Sequence, residues 1–309
     1  MKIVISEFMD AAAVESLRGR FDIRYDPALV DRRAELVAGL ADADALIVRN
    51  RTRVDAGLLA AAPRLKVVGR LGVGLDNIDL AASRERGVAV IPATGANAAA
   101  VAEYVLCTAM MLLRGAYRSS AAVAAGQWPR AALSEGREIG GKEIGIVGFG
   151  GIGRLTARLA RSLGMRVAGC DPEIAADSPL WLSETALRLE LNELLGRADV
   201  VSLHIPLAPA TRGLIGAAQL ALMKPNAVLI NSARGGTVDE AALATALRAG
   251  RLGGAALDVF ADEPLAPGSP LSDCPNLILT PHIAGVSREA NQRVSSLIAE
   301  RVAALLESA

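Results

Sequence analysis

Gly148, Gly150 and Gly153 stand in Val147-Gly148-Phe149-Gly150-Gly151-Ile152-Gly153, a G-x-G-x-x-G segment between the apolar run 144–147 and a helix-forming stretch that opens at Gly151. There Gly148 permits a tight turn, Gly150 lets backbone approach a pyrophosphate, and Gly153 lets a helix close on a strand. The first helical turn, with Gly151 and Ile152, offers unpaired amides and the positive end of its dipole to phosphate. A glycine-rich turn alone is only a turn. Asp171, about 20 residues further on and at the end of the next apolar run, supplies the carboxylate that accepts hydrogen bonds from adenosine ribose hydroxyls. It would repel a 2′ phosphate, so the expected cofactor is NAD rather than NADP.

Three later segments carry a second kind of chemistry: Asn231-Ser232-Ala233-Arg234-Gly235-Gly236, Asp258-Val259-Phe260-Ala261-Asp262-Glu263-Pro264, and Thr280-Pro281-His282-Ile283-Ala284-Gly285. Each begins where an apolar run ends. In open parallel sheets ligands bind beyond the carboxyl ends of strands, so Arg234, Glu263 and His282 are expected to converge. Arginine binds a carboxylate bidentately, and histidine titrates nearest neutral pH. The chain has two histidines. His204, inside the apolar run 200–206, is expected to be a satisfied residue beside the cofactor rather than a base.

Strands must position these groups. Runs at 3–6, 45–48, 65–68 and 88–91 alternate with helical stretches in the first hundred residues, and six more follow at 143–147, 166–170, 200–204, 227–231, 254–258 and 277–280. The small, polar turn Ala93-Thr94-Gly95-Ala96-Asn97 precedes an uninterrupted helix-forming run, 98–125, and marks a boundary. The expected fold is α/β, with two doubly wound parallel-sheet domains: residues 1–97 plus 284–309, and a Rossmann domain at 98–283, with a cleft between them. The last helix, 287–306, is amphipathic.

Composition agrees. Hydrophobic residues make up 52% of 309 residues with only 3% aromatic, which suits helices on both faces of parallel sheets. Lys plus Arg and Asp plus Glu are 33 each, so no long-range field favours nucleic acid or an acidic membrane. The apolar stretch 98–113 is short of a membrane span. No secretory leader pattern opens the chain, and three scattered cysteines without CxxC point to a reducing, cytoplasmic setting. No metal-ligand spacing is apparent.

Together with Arg70-Leu71-Gly72-Val73-Gly74-Leu75-Asp76-Asn77-Ile78-Asp79, Asn97 followed by Val101-Ala102-Glu103, and Leu203-His204-Ile205-Pro206, these motifs resemble the D-isomer-specific 2-hydroxyacid dehydrogenases along nearly the whole chain, most closely the D-3-phosphoglycerate dehydrogenase branch. The resemblance implies a flavodoxin-like substrate domain beside the NAD domain. It also makes His282 the acid/base, Glu263 its carboxylate partner, and Arg234 the clamp on the substrate carboxylate and C2 oxygen. Ser232, Ala233 and Arg234 would line the nicotinamide, Asp258 would meet its carboxamide, and His204, Ile205, Pro206, His282 and Gly285 would complete the cofactor contacts. The amides of Gly72, Val73 and Gly74 would give a second carboxylate contact. A homodimer through the NAD domain is also implied.

Arg49, Asn50 and Arg51 follow one strand and Arg70 another, so three guanidinium groups are expected near the substrate. A plain hydroxy acid needs only Arg234, whereas a second anion at C3 would use the others, so the first expectation is a 3-phosphoglycerate-like substrate. The phosphoglycerate branch typically has Ser where Asn50 stands, so sulfolactate is the alternative, with glyoxylate or hydroxypyruvate third. From a different class, NAD-sensing corepressors share the fold and the Arg, Glu and His. They resemble longer chains with flexible tails.

Overall fold

In the computed structural model, which describes residues 1–308, the apolar runs pair into two wholly parallel sheets. The first holds β1 (Lys2–Ile5), β2 (Asp22–Tyr25), β3 (Ala45–Val48), β4 (Val67–Arg70) and β5 (Ala89–Pro92), in the order β2-β1-β3-β4-β5. Side chains alternate across it. Ile3, Ile5, Ile47 and Val67 enter one core, while Val4, Leu46, Val48 and Val68 enter the other. The order reverses between β1 and β3, the place where open parallel sheets bind ligands. Strand β2 is an addition to the sequence reading. Its Asp-Ile-Arg-Tyr alternation is half-exposed at a sheet edge and lacks a continuous apolar run.

The second sheet holds β6 (Glu143–Val147), β7 (Arg166–Cys170), β8 (Leu187–Arg188), β9 (Val200–Leu203), β10 (Val228–Asn231), β11 (Gly254–Leu257) and β12 (Leu277–Leu279), ordered β12-β11-β10-β9-β6-β7-β8. It reverses between β6 and β9. Seven strands stand where six were expected, because β8 is only two residues long. Helices Ala98–Arg114 and Gly151–Ser162 contribute Val105, Ala109, Leu112, Ala157 and Ala160 to the core on one face. The expected continuous helix to residue 125 does not form. It stops at Arg114, Gly115 adopts a left-handed φ of 67°, and a short turn leads to a separate helix, Ser120–Ala124. A glycine in that conformation closes a helix by satisfying its last carbonyls.

The chain thus divides into two units, Met1–Asn97 with Val286–Ala309, and Ala98–Gly285. The last helix, Arg288–Ser308, belongs to the first unit, where Ile298, Val302 and Leu306 pack on the face of Ile3, Ile47 and Val67. Among the described residues no single helix is long and apolar enough to cross a membrane.

Gly69 in β4 makes that packing possible. A Cβ there would lie 2.7 Å from Ile298 Cγ2 and 2.8 Å from Val302 Cγ2. Gly69→Val should therefore destabilise the first unit by about 1–3 kcal/mol, read as a lower urea midpoint. Gly19→Ala, with nothing within 4 Å, should leave the midpoint nearly unchanged. Equal midpoints for the two variants would contradict this packing.

Candidate active site

The glycine turn is shaped by backbone on two sides. Gly148 has φ 91°, donates its amide to Cys170 O at 2.8 Å, and would place a Cβ 2.5 Å from His204 O. A Cβ on Gly153 would lie 2.2 Å from Gly148 O, so only glycine lets helix Gly151–Ser162 come this close to β6. Gly150 and Gly151 are exposed, with nothing within 4 Å of a Cβ, which leaves their backbone open to a ligand. Ile152 is half-buried in the first helical turn.

Asp171, at the end of β7, accepts the Phe149 amide at 2.8 Å and the Glu173 amide at 3.0 Å. Its carboxylate is therefore fixed beside the glycine turn. Ser232 Oγ is buried without a partner among the described residues, at the end of β10. A cradle of bare backbone, a fixed carboxylate and an orphaned hydroxyl at the carboxyl ends of strands in one sheet suit a dinucleotide.

Three loops meet at the carboxyl end of the sheet. Buried Asn231 staples the first: its amide nitrogen donates to Arg234 O at 3.0 Å and Thr237 Oγ1 at 3.1 Å, and its oxygen accepts from Ala233 N at 3.1 Å. Arg234 is half-buried and donates to Ala233 O at 2.6 Å. Gly235 joins this loop to the second, because a Cβ there would lie 1.7 Å from Phe260 O. In the second loop, Glu263 divides its oxygens. Oε1 accepts the Phe260 amide at 3.1 Å, and Oε2 meets His282 Nδ1 at 2.8 Å. The structure therefore brings Arg234, Glu263 and His282 into one cluster of loops. The imidazole is 40% and the carboxylate 34% exposed, so the pair is open to a ligand.

Asp258 is only 1% exposed. Its carboxylate accepts from Thr280 Oγ1 at 2.6 Å, Ile283 N at 2.7 Å and Ala284 N at 2.7 Å. Burial pushes its pKa up, while those donors and nearby His282 oppose the shift. The half-buried Gly285 follows this turn. Asp258 thus holds the His282 turn, a role the sequence reading did not assign.

His204 packs over Gly148 through its carbonyl, and its Nε2 lies 3.0 Å from Ser202 Oγ. Ile205 adjoins the same glycine, and exposed Pro206 accepts Thr211 Oγ1 at 2.6 Å through its carbonyl.

In the first unit, the candidate substrate residues gather at the β1/β3 reversal and at the end of β4. Buried Glu7 accepts the amides of Arg49 at 2.8 Å, Thr52 at 2.9 Å and Arg51 at 3.1 Å, and so folds the turn that carries them. Sequence reasoning missed it, although a carboxylate directly after a buried strand was a visible signal. The Arg49 guanidinium donates to Asn291 Oδ1 at 2.9 Å and lies 5.8 Å from the Phe8 ring. Burial lowers its pKa, and the charge of Glu7 opposes that. Arg51 instead pairs with Asp31 in an exposed ion pair, and Asn50 is exposed. Arg70 donates to Leu71 O at 3.2 Å and lies against Gly72, whose φ of 155° leaves room where a Cβ would be 1.4 Å from Nη1. Val73 and Gly74 follow, half-buried.

Residues 106–284 match the family model described as D-isomer specific 2-hydroxyacid dehydrogenase, NAD binding domain. The chain is 55% identical over 301 residues to the (S)-sulfolactate dehydrogenase of Chromohalobacter salexigens, covering 97% of this chain and 96% of that protein. It is 40% identical over 303 residues to the D-3-phosphoglycerate dehydrogenase of Mycobacterium leprae, covering 97% of this chain but only 56% of that protein's length. The crystal structure of the TT0316 protein from Thermus thermophilus superimposes with a TM-score of 0.91 at 36% identity, covering 100% of this chain and 97% of that one.

Loss of hydration around the His204 ring pushes its pKa down to about 4. Its unfolded value is about 6.5. As pH falls from about 6.5 to 4, the unfolded chain takes up a proton that the folded chain refuses, so folding stability declines through that window. The wild type should therefore lose more urea stability between these pH values than His204→Asn. Parallel pH profiles for the two would contradict a neutral, desolvated His204.

Proposed function

The chain belongs to the D-isomer-specific 2-hydroxyacid dehydrogenase family and carries its NAD-binding domain, and from that premise we propose that it interconverts a three-carbon 2-hydroxy acid bearing a C3 sulfonate with its 2-keto acid. Bound nicotinamide supplies or accepts the hydride at C2. The protein's residues do the rest. Arg234 binds the substrate carboxylate with its planar fork and polarises the C2 oxygen. His282, hydrogen-bonded to Glu263 through Nδ1, presents Nε2 to that oxygen. It delivers a proton there in keto-acid reduction and removes one in hydroxy-acid oxidation. Glu263 holds the ring's tautomer and orientation through both directions. Gly148, Gly150 and Gly153 cradle the pyrophosphate, and Asp171 takes the ribose hydroxyls, favouring NAD over NADP.

The observation that carries the sulfonate reading is the charge balance at the substrate turn. Arg51 is engaged by Asp31 in an exposed ion pair, and Glu7 sits beside Arg49, so the positive charge of the turn 49–51 is partly offset. That balance suits a singly charged sulfonate better than a phosphate ester, which carries between one and two charges near neutral pH. The 55% identity to a sulfolactate dehydrogenase across 96% of its length supports the same choice. The (S) descriptor is consistent with D-isomer handedness. Sulfur on C3 outranks the carboxylate in naming priority, so the arrangement called R in lactate is called S in sulfolactate.

With NADH, sulfopyruvate should exceed phosphohydroxypyruvate, hydroxypyruvate and glyoxylate in kcat/KM by at least about tenfold. A faster reaction with phosphohydroxypyruvate would overturn the sulfonate assignment and leave the dehydrogenase. His282→Ala should lower kcat by about 100-fold or more while NADH still binds. Arg234→Lys should raise KM and lower kcat together. An unchanged kcat in His282→Ala would remove the histidine from the chemistry.

A further inference from the structure

His282 sits in a conformation that an L-residue adopts reluctantly. Its φ is 57°, in the left-handed region, where a Cβ crowds the following carbonyl. Such a residue persists only where its surroundings hold it. Asp258 provides the hold, since its main-chain oxygen accepts the His282 amide at 2.8 Å while its carboxylate takes Ile283 N, Ala284 N and Thr280 Oγ1. The turn 280–284 is therefore wrapped around one buried residue.

The chain of hydrogen bonds does not end there. Tyr104 Oη, from helix Ala98–Arg114, lies 2.7 Å from Thr280 Oγ1. Threonine has one hydroxyl proton, and the carboxylate of Asp258 is the stronger acceptor, so Thr280 donates to Asp258 and Tyr104 must donate to Thr280. The phenol is half-buried, and burial pushes its pKa up to about 12, which keeps it a donor throughout the working pH range. Each donor in the row polarises the next.

We propose that Tyr104 and Thr280 are positioning residues for the reaction, anchoring the turn that holds His282 to the long helix of the NAD-binding unit. This rests on the reading of His282 as the acid/base. Neither residue touches the reacting atoms. Their effect passes through Asp258 to the placement of the imidazole against Glu263. Near-attack geometry is sensitive to small displacements, so a loosened turn lowers turnover more than it lowers ligand binding.

Tyr104→Phe keeps the ring and removes only the donor. Thr280→Val keeps the shape and removes the relay, and Thr280→Ser restores the hydroxyl. In the whole protein, Tyr104→Phe should lower kcat about fivefold and Thr280→Val about tenfold or more, each with KM for NADH and keto acid changed less than about twofold, and Thr280→Ser should recover most of the loss. Amide hydrogen exchange at residues 282–284 should quicken about tenfold in the two impaired variants while exchange in β6 and β9 stays at wild-type rates. Wild-type kcat and wild-type local exchange in both variants would overturn the anchor. So would exchange that rises equally across the second unit, because the hydroxyls would then serve general packing alone. His282→Ala, measured alongside, separates the two ideas: retained turnover there would defeat the acid/base reading, whereas its loss with unaffected Tyr104→Phe and Thr280→Val would defeat only the anchor.

Discussion

The hydrogen bond between His282 Nδ1 and Glu263 Oε2 decides what the rest of the second unit is for. A neutral imidazole has one N–H and one bare nitrogen, and a partner at Nδ1 dictates that Nε2 is left for substrate. Everything around the pair holds it in place. The backbone contact at Gly235 brings the Arg234 loop against Phe260, the Phe260 amide occupies the second oxygen of Glu263, and Asp258 folds the turn beneath His282. These loops leave three adjoining parallel strands, so the sheet brings together at one end residues that lie far apart in the chain.

The first unit uses the same device with a different purpose. There a buried carboxylate, Glu7, gathers three backbone amides and so fixes the turn that carries Arg49. In both units a carboxylate at or just beyond a strand end serves as a template for the loop facing it. Burying a carboxylate is costly unless each donor is well placed, which ties the loop's conformation to the strand's. Glu7 thereby also offsets part of the positive charge beside it, and this bears on which anion the turn suits.

Local physics made much of this legible from the sequence. The glycine turn and Asp171 could be read because each glycine's role depends on neighbours within a few residues, and buried parallel strands appear as plain apolar runs. The edge strand β2 and the two-residue β8 were not, since half-exposed alternation and very short pairing leave little pattern. Gly115 should have been a warning that the helix from Ala98 would close, because a glycine after a terminal arginine is a common helix stop. Contacts set by tertiary structure lay out of reach: Arg51 turning to Asp31, and Tyr104 reaching Thr280 across 176 residues. The family resemblance supplied roles for Arg234, Glu263 and His282, and the fold supplies the reason their loops can meet.

The most direct measurement is nitrogen-15 NMR of protein labelled at its two histidines, with His204→Asn used to assign the signals. While the His282 ring is neutral, its proton should sit on Nδ1, and the tautomer population should change when Glu263 is replaced by Gln. A wild-type His282 that carries its proton on Nε2, indifferent to residue 263, would contradict that placement.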